Sequence, residues 1–262
     1  MYFDVDGHRI FAAGQLPSAA TGAAVVLLHG AAMDHSVWVY HTRYFVQAGY
    51  AVIAPDLPTH GLSGGAAVPT VEGMAGWLGR CLDSLGIDRV ALAGHSLGAL
   101  VALEFAAAAG RRVERLALLG AAVPMAVSDQ LLTAARADSR EARDMMVLWG
   151  HGPRAHLGGN PVAGIAIANG AMRLLERAAP GLLYNDLNAC NVYTAGLAAA
   201  ARVVAPTRLV CGSDDKMTPP RAALELAAAM SECGVDTIPA CGHIMMSERP
   251  EATHRALVAA LL

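Results

Sequence analysis

The sequence predicts an α/β fold with a mostly parallel central sheet, helices on both faces and a helical cap inserted between two late strands. Two observations carry this prediction. Between residues 23 and 119, short apolar runs that are typical of buried strands alternate with segments of helical periodicity. Residues 125–201 then contain mainly helical segments, separated by breaks rich in glycine, proline and asparagine, before a strand pattern returns at Thr207.

The same pattern divides the chain. We expect residues 1–124 and 202–262 to form the core, and residues 125–201 to form a cap, or lid, over the ends of the strands. No linker marks a second independent domain.

The elements before the cap follow from local signals. Asp6-Gly7 joins two short stretches of strand character and is a preferred hairpin turn. Ser36 is the expected N-cap of a helix that passes Phe45 and stops at Gly49. The remaining predicted elements are strands at residues 23–28, 51–54, 90–93 and 116–119 and a helix at residues 71–85.

Within the cap, helical segments are expected at residues 129–135, 140–149, 171–178 and 185–200. After the cap we expect, in order, a strand at residues 207–211, a helix that ends at Met230, a short strand at residues 236–238 and a final helix opened by Pro250.

The stretch from residue 90 to residue 109 contains a strand, the tight turn Gly94-His95-Ser96-Leu97-Gly98 and a helix. Such a turn forces its central residue into a strained backbone conformation, so the residues two before and two after it must be small. Gly94 and Gly98 meet that requirement. Because the turn presents the Ser96 hydroxyl at a helix N-terminus, Ser96 is a candidate nucleophile.

Composition limits the partners of the chain. The formal net charge is −3, 16% of the residues are charged and no lysine or arginine cluster occurs, so we expect a small-molecule substrate, not nucleic acid or a membrane. The chain lacks an uninterrupted apolar stretch of about 18 residues and a secretory leader pattern, so we expect a soluble, cytoplasmic monomer or homodimer. Five cysteines without paired spacing predict neither a disulfide framework nor a zinc site. We expect no cofactor and no metal.

Five motifs occur in a fixed order along the chain. They are HG after an early strand, DLPTHGLS, GHSLG, G-x-x-D-x-x-x-P and GH before the last helix. With these motifs the chain resembles the α/β-hydrolase superfamily over essentially its whole length. The resemblance implies Ser96 as nucleophile, Asp215 as acid and His243 as base, and the motif spacing favours Asp215 over Asp214. Thr59 departs from the family pattern, which usually has glycine there, and should alter the loop more than the chemistry.

The resemblance also implies an oxyanion hole made by the backbone N–H groups of Leu97 and Ala31, with Ala32 as the alternative to Ala31. In the lid and after the base, Trp149, Met145 and Met245, together with Met146 and Met246, are expected to line an apolar pocket, with core packing as the alternative. His29 and His60 are expected to hold loops beside the site, His95 to pack, and Asp186 to cap a helix.

The implied function is a cofactor-free serine hydrolase, carboxylesterase-like, that cleaves a small, hydrophobic ester, lactone or thioester through an acyl-enzyme. A carbon–carbon bond hydrolase or an enol-lactonase of aromatic catabolism shares the same residues and stays open. So do acyl transfer to another acceptor and a non-catalytic small-molecule receptor on the same fold.

Overall fold

The computed structural model describes residues 1–16, 23–156, 159 and 166–262. The strands of the described residues are β1 (Tyr2–Val5), β2 (His8–Gln15), β3 (Ala24–Leu28), β4 (Val52–Pro55), β5 (Val90–His95), β6 (Val113–Leu119), β7 (Thr207–Gly212) and β8 (Cys233–Ile238). They form one eight-stranded sheet in the order β1-β2-β4-β3-β5-β6-β7-β8. The pairs made by β1 and β2 are antiparallel and all pairs from β4 to β8 are parallel, which confirms the predicted mostly parallel sheet.

The helices flank this sheet in chain order. They are α1 (Val39–Gln47), α2 (Val71–Ser84), α3 (Leu97–Ala109), α4 (Asp129–Arg136), α5 (Arg140–Gly150), α6 (Pro153–His156), α7 (Ile167–Arg177), α8 (Leu182–Val192), α9 (Gly196–Ala200), α10 (Pro220–Ala228), α11 (Met245–Glu248) and α12 (Pro250–Leu261). The segment between β6 and β7 contains α4 to α9, so the helical insertion occurs where the sequence predicted it.

Both faces of the sheet are buried, as the side-chain alternation of β3 shows. Val26 and Leu28 point into one hydrophobic cluster, which also contains residues of α2 and α3. Val25 and Leu27 point into a second cluster on the opposite face, which contains residues of α1 and α12. Because a strand directs successive side chains to opposite faces, a continuous apolar strand requires helices on both sides.

Local signals predicted some elements and missed others. Asp6 and Gly7 have φ values of 55° and 78°, and Val5 pairs with His8, so the predicted hairpin turn is confirmed. The predicted N-cap at Ser36 is wrong. Asp34 accepts a hydrogen bond from the Ser36 N–H at 2.8 Å and caps a short 3-10 turn that precedes α1.

Two other boundaries differ from prediction because of contacts distant in sequence. β8 begins at Cys233 because it pairs with β7 along its whole length. The single helix predicted for residues 185–200 is two helices, α8 and α9. All five cysteines are free thiols. No helix in the described ranges has the length and apolar character required to cross a membrane.

A buried histidine makes the stability of the fold sensitive to acid. Burial and the nearby imidazole of His254 lower the pKa of His41 to about 3, from 6.5 in a solvated histidine. Below pH 6.5 the unfolded chain binds a proton that the folded chain excludes, so the stabilisation present above that pH is lost as the pH falls. We expect the free energy of unfolding of the wild type to fall between pH 7 and pH 5 by on the order of 1–2 kcal/mol more than that of His41→Met.

Urea unfolding at the two pH values measures this difference. His8→Gln, at an exposed position, serves as the control and should keep the wild-type pH dependence. The same pH dependence in wild type and His41→Met would contradict the prediction.

Candidate active site

Ser96 forms the turn between β5 and α3 by itself. β5 ends at His95 and α3 begins at Leu97, and the Ser96 backbone has φ 53° and ψ −117°, a strained conformation for a residue with a side chain. The Ser96 N–H donates to the Leu119 carbonyl at 2.9 Å, which holds the turn against the end of β6. Strain of this kind persists only when its surroundings fix it.

The two glycines around Ser96 permit close contacts between backbones. A Cβ atom on Gly94 would lie 2.1 Å from the Gly98 carbonyl oxygen, and one on Gly98 would lie 2.4 Å from the His29 carbonyl oxygen. Neither position accepts a larger residue, so the steric reason for predicting small residues is confirmed.

Asp215 and His243 form a buried pair on the loops that follow β7 and β8. Asp215 Oδ2 lies 2.8 Å from His243 Nδ1. The other carboxylate oxygen accepts from the Met217 and Thr218 N–H groups, each at 2.8 Å, and the Thr218 hydroxyl donates to Oδ2 at 2.7 Å. Burial alone would raise the pKa of Asp215, but the charge of His243 and these hydrogen bonds hold it below its usual value. Asp214 instead accepts from the Ser213 hydroxyl, at 3.0 Å.

His243 lines the cavity that contains Ser96 and keeps one ring nitrogen without a hydrogen-bond partner in the described part of the chain. His243 and Ser96 line the same cavity of about 210 Å³. His243 Nε2 is buried and has no hydrogen-bond partner among the described residues, and no hydrogen bond joins it to Ser96. With its Nδ1–H directed to Asp215, a neutral imidazole keeps a lone pair on Nε2 and can accept a proton there.

Three backbone and side-chain contacts fix the His243 loop. The Gly150 carbonyl at the end of α5 accepts from the N–H groups of His243 and Ile244 at 2.9 and 3.1 Å. His95 Nε2 lies 2.9 Å from the His243 carbonyl oxygen, so His95 has the packing role that was expected. Gly120, at the end of β6, has φ +57°, and a Cβ there would lie 2.8 Å from His243 Cε1.

Sequence reasoning did not identify Gly120 or Thr218 as parts of the site. The signal for Gly120 was a glycine at the carboxyl end of a parallel strand. The signal for Thr218 was a hydroxyl within the same motif as Asp215.

The candidate oxyanion donors occupy different environments. As the first residue of α3, Leu97 has no intrahelical acceptor for its N–H. The Ala32 N–H already donates to Asp186 Oδ2 at 2.8 Å. Ala31 lines the cavity beside Ser96, which favours Ala31 over Ala32 as the second donor.

Asp186 connects the helical insertion to two loops of the core. It lies within α8 and is fully buried, so the expectation that it caps a helix is wrong. Its Oδ2 accepts from the Ala32 N–H and from His60 Nε2, both at 2.8 Å. His60 Nδ1 also lies 3.0 Å from the Pro58 carbonyl oxygen, so both ring nitrogens face acceptors and the ring is protonated. Burial alone would lower the pKa of His60, but Asp186 and the Pro58 carbonyl raise it.

The His29 ring lies beside the His60 ring, with centroids 4.8 Å apart, and has the opposite pKa shift. Burial and the charge of His60 lower the pKa of His29 to about 4, so its ring is neutral. Its Nδ1 lies 2.9 Å from the Gly30 carbonyl oxygen, and its Nε2 accepts from the Leu57 N–H at 3.1 Å. His29 and His60 therefore hold the loops that follow β3 and β4, as expected.

The loop after β4 contains the departure from the family pattern. Thr59 has φ +72°, in the left-handed region that favours glycine. Its hydroxyl donates to the Gly65 carbonyl oxygen at 2.8 Å, which helps to hold this conformation.

The structure separates the residues predicted to line the pocket. Trp149 lines the cavity that contains Ser96 and His243. Met145 and Met245 line neither this cavity nor the neighbouring one of about 290 Å³, and both are buried in the core. Their neighbours Met146 and Met246 line cavities instead, since successive residues of a helix point about 100° apart.

In the described part of the chain, one group of side chains has ligand types suited to a metal: Asp34, His35 and Asp56. Asp56 already accepts from the His35 N–H at 2.7 Å and from the Leu62 N–H at 2.9 Å, and His35 Nδ1 lies 2.9 Å from it. These hydrogen bonds satisfy the carboxylate without an ion.

Replacing Asp186 should destabilise the fold. Asp186→Ala leaves the Ala32 N–H and the His60 ring without their acceptor, and each buried donor without a partner costs about 1–3 kcal/mol. We expect urea unfolding to show a loss of about 2–4 kcal/mol. Asp144→Ala is the control, because Asp144 is an acid of the insertion that is 53% exposed and lies 3.6 Å from Arg140. It should cost less than about 1 kcal/mol, and equal losses in the two variants would contradict the bridging role of Asp186.

Comparison with known proteins shows relatives over most of the chain. The chain is 31% identical over 241 residues to a pimeloyl-[acyl-carrier protein] methyl ester esterase of Aromatoleum aromaticum, covering 87% of this chain and 93% of that protein. It is 27% identical over 257 residues to a 2-hydroxy-6-oxo-6-phenylhexa-2,4-dienoate hydrolase of Burkholderia cepacia, covering 92% and 88%. Some relatives match only locally, and the chain spans about a third (31%) of the length of one, an acetyltransferase component of an acetoin cleaving system of Cupriavidus necator.

Among solved structures, the enol-lactonase from Burkholderia xenovorans LB400 superposes with a TM-score of 0.87 at 21% identity, covering 99% of this chain and 98% of that one. This likeness shows the fold. The family described as the alpha/beta hydrolase family matches residues 25–256, which is most of the chain. The protein therefore belongs to the alpha/beta hydrolase family.

Proposed function

We propose that this hydrolase is a serine hydrolase in which Ser96 is the nucleophile, His243 the base and Asp215 the acid that orients the base. The observation that carries the proposal is the buried Asp215–His243 pair, whose histidine lines the same cavity as the strained Ser96 and keeps Nε2 without a partner among the described residues. A serine hydroxyl needs such a base, because it is nearly unreactive at neutral pH.

The reaction begins when the Ser96 oxygen attacks the substrate carbonyl carbon and its proton passes to His243 Nε2. Asp215 stabilises the imidazolium that forms and keeps Nδ1–H directed away from the cavity. The Leu97 and Ala31 N–H groups stabilise the tetrahedral oxyanion. The bond from the carbonyl carbon to the leaving oxygen or sulfur then breaks as that atom takes the proton from His243, which leaves the acyl-enzyme. Water attacks the acyl-enzyme with His243 again as base, and the Ser96–acyl bond breaks as Ser96 takes the proton back, which releases the acid.

The substrate we propose is a small, hydrophobic ester, lactone or thioester. Apolar side chains of the insertion, Met146, Trp149 and Leu187, line the cavity and support an apolar substrate. They also support the insertion as a lid over the site. The methyl ester esterase matched over 93% of its length supports carboxylesterase chemistry.

A carbon–carbon bond hydrolase is the second candidate. It is supported by the match to the phenylhexadienoate hydrolase over 92% of this chain. A panel of esters, lactones and dienone acids, compared by kcat/KM, distinguishes the two reactions.

The nucleophile is tested by its reactivity. Ser96→Ala should abolish both labelling by a fluorophosphonate probe and hydrolysis of p-nitrophenyl acetate and butyrate. His243→Ala should lower kcat by several orders of magnitude, because residues of such a triad act as a unit. Ser128→Ala removes the other serine that lines the cavity, and this variant should still be labelled. A wild type that is neither labelled nor active would favour a non-catalytic receptor.

A substitution at Gly120, which lies beside the His243 ring, tests the role of His243 as base. Gly120→Ala adds a methyl group 2.8 Å from His243 Cε1. Because two carbon atoms cannot approach so closely, the His243 ring should be displaced. Misplacing a catalytic group by an ångström costs on the order of 100-fold, so we expect kcat for p-nitrophenyl butyrate to fall by roughly 10- to 100-fold. Gly86→Ala is the control, because Gly86 also has a positive φ, +65°, but no atom lies within 4 Å of the added methyl. Equal kcat values for the two variants would show that the His243 contact has no role.

A further inference from the structure

The cavity that contains Ser96 has one lysine on its lining, Lys216. Lys216 is the only lysine in the sequence of 262 residues. It follows Asp215 directly, is exposed to solvent, and lines the cavity together with Ser96 and His243. Most of the other lining side chains are apolar, among them Met125, Val127, Leu131, Met146, Trp149 and Leu187.

Lys216 has no ion-pair partner in the part of the chain that the structure describes. Among the described residues, no carboxylate forms an ion pair with its ammonium group, although both preceding residues are acids. Asp215 is already bonded to Thr218 and His243, with Oδ2 2.8 Å from His243 Nδ1. Asp214 accepts from the Ser213 hydroxyl at 3.0 Å. An ammonium group without a counter-charge, beside apolar walls, attracts an anion of the substrate more strongly than one already paired.

From this placement we infer that the substrate is anionic: it carries a carboxylate that Lys216 binds at the mouth of the cavity while the scissile carbonyl lies at Ser96. The inference rests on the proposed function and adds a substrate class to it, namely monoesters and related derivatives of dicarboxylic acids. Lys216 acts as a specificity determinant for the acidic end of such a substrate. The long, flexible stem of lysine allows the ammonium to follow a carboxylate at the mouth.

A groove that adjoins the cavity is less suited than the cavity itself to bind an anionic group of the substrate. This groove shares Met125, Ala126 and Met217 with the cavity and contains Arg221. It also contains Glu225, so the groove has an acid as well as a base. Lys216 lines the cavity and not this groove, which favours a short substrate whose carboxylate stays at the cavity.

A pair of esters with the same acyl chain length tests the inference. Mono-4-nitrophenyl adipate has a terminal carboxylate where 4-nitrophenyl hexanoate has a methyl group. We expect the wild type to favour the adipate ester in kcat/KM, and Lys216→Met to reduce the adipate-to-hexanoate ratio by about tenfold. Lys216→Glu should reduce the ratio further by repulsion, and Lys216→Arg should restore it. Added salt should lower the wild-type ratio and have little effect on that of Lys216→Met.

Arg221→Met is the matched control, because it removes a cation from the adjoining groove and should leave the ratio unchanged. A ratio that falls in Arg221→Met as much as in Lys216→Met would overturn the placement of the carboxylate at Lys216. A ratio that is the same in wild type, Lys216→Met and Lys216→Glu would overturn the inference while the serine hydrolase proposal stands.

A binding measurement separates this inference from the proposed function. If the wild type hydrolyses neither ester, the proposed function fails, and calorimetric titration of the Ser96→Ala variant with monomethyl adipate still decides the role of Lys216. We expect binding that is weakened about tenfold in the Ser96→Ala/Lys216→Met double variant. Equal affinity in the two variants would overturn the inference.

Discussion

The buried carboxylate of Asp186 joins the helical insertion to the two core loops beside the candidate nucleophile, and the shape of the site depends on that contact. Taking a carboxylate out of water costs several kcal/mol unless donors replace the solvent. Here the donors are the Ala32 N–H and the protonated His60 ring, both at 2.8 Å. Because one donor adjoins Ala31 and the other belongs to the loop after β4, α8 and both loops take their positions together. The residue whose N–H donates to Asp186, Ala32, has a left-handed backbone conformation with φ +52°.

The parts of the site that the sequence predicted are those determined by local backbone sterics. The requirement for glycine at position 94 follows from the turn itself, because a Cβ there would lie 2.1 Å from the Gly98 carbonyl oxygen. At position 98 the end of β3 adds a second constraint, since a Cβ there would lie 2.4 Å from the His29 carbonyl oxygen. The hairpin at Asp6-Gly7 is predictable for the same reason, because left-handed φ values are required at the turn. Asp215 was distinguishable from Asp214 by spacing along one loop, and the structure pairs Asp215 with His243.

The parts that the sequence did not predict depend on how distant segments meet. Asp186 and His60 are 126 positions apart, so nothing in the pattern around Asp186 distinguishes a buried bridge from a helix cap. Position 120 requires glycine because the His243 imidazole, which belongs to another loop, leaves no room for a Cβ there. Met145 and Met146 are adjacent methionines of α5, and only the rotation of α5 about its own axis decides which of them lines the cavity. The type of a side chain predicts whether it is buried, but not whether it faces the cavity or the core.

The end of α5 supports the imidazole of the core, although α5 belongs to the insertion. The Gly150 carbonyl accepts from the N–H groups of His243 and Ile244, and the Gly152 N–H and the Gly242 N–H share the buried Glu248 carboxylate at 3.0 and 3.1 Å. The insertion is therefore not an exchangeable module. A chimera that takes its insertion from another member of the family would leave the N–H groups of His243 and Ile244 without the Gly150 carbonyl as acceptor. The residues around Gly242 and Glu248 would have to be transplanted with the insertion.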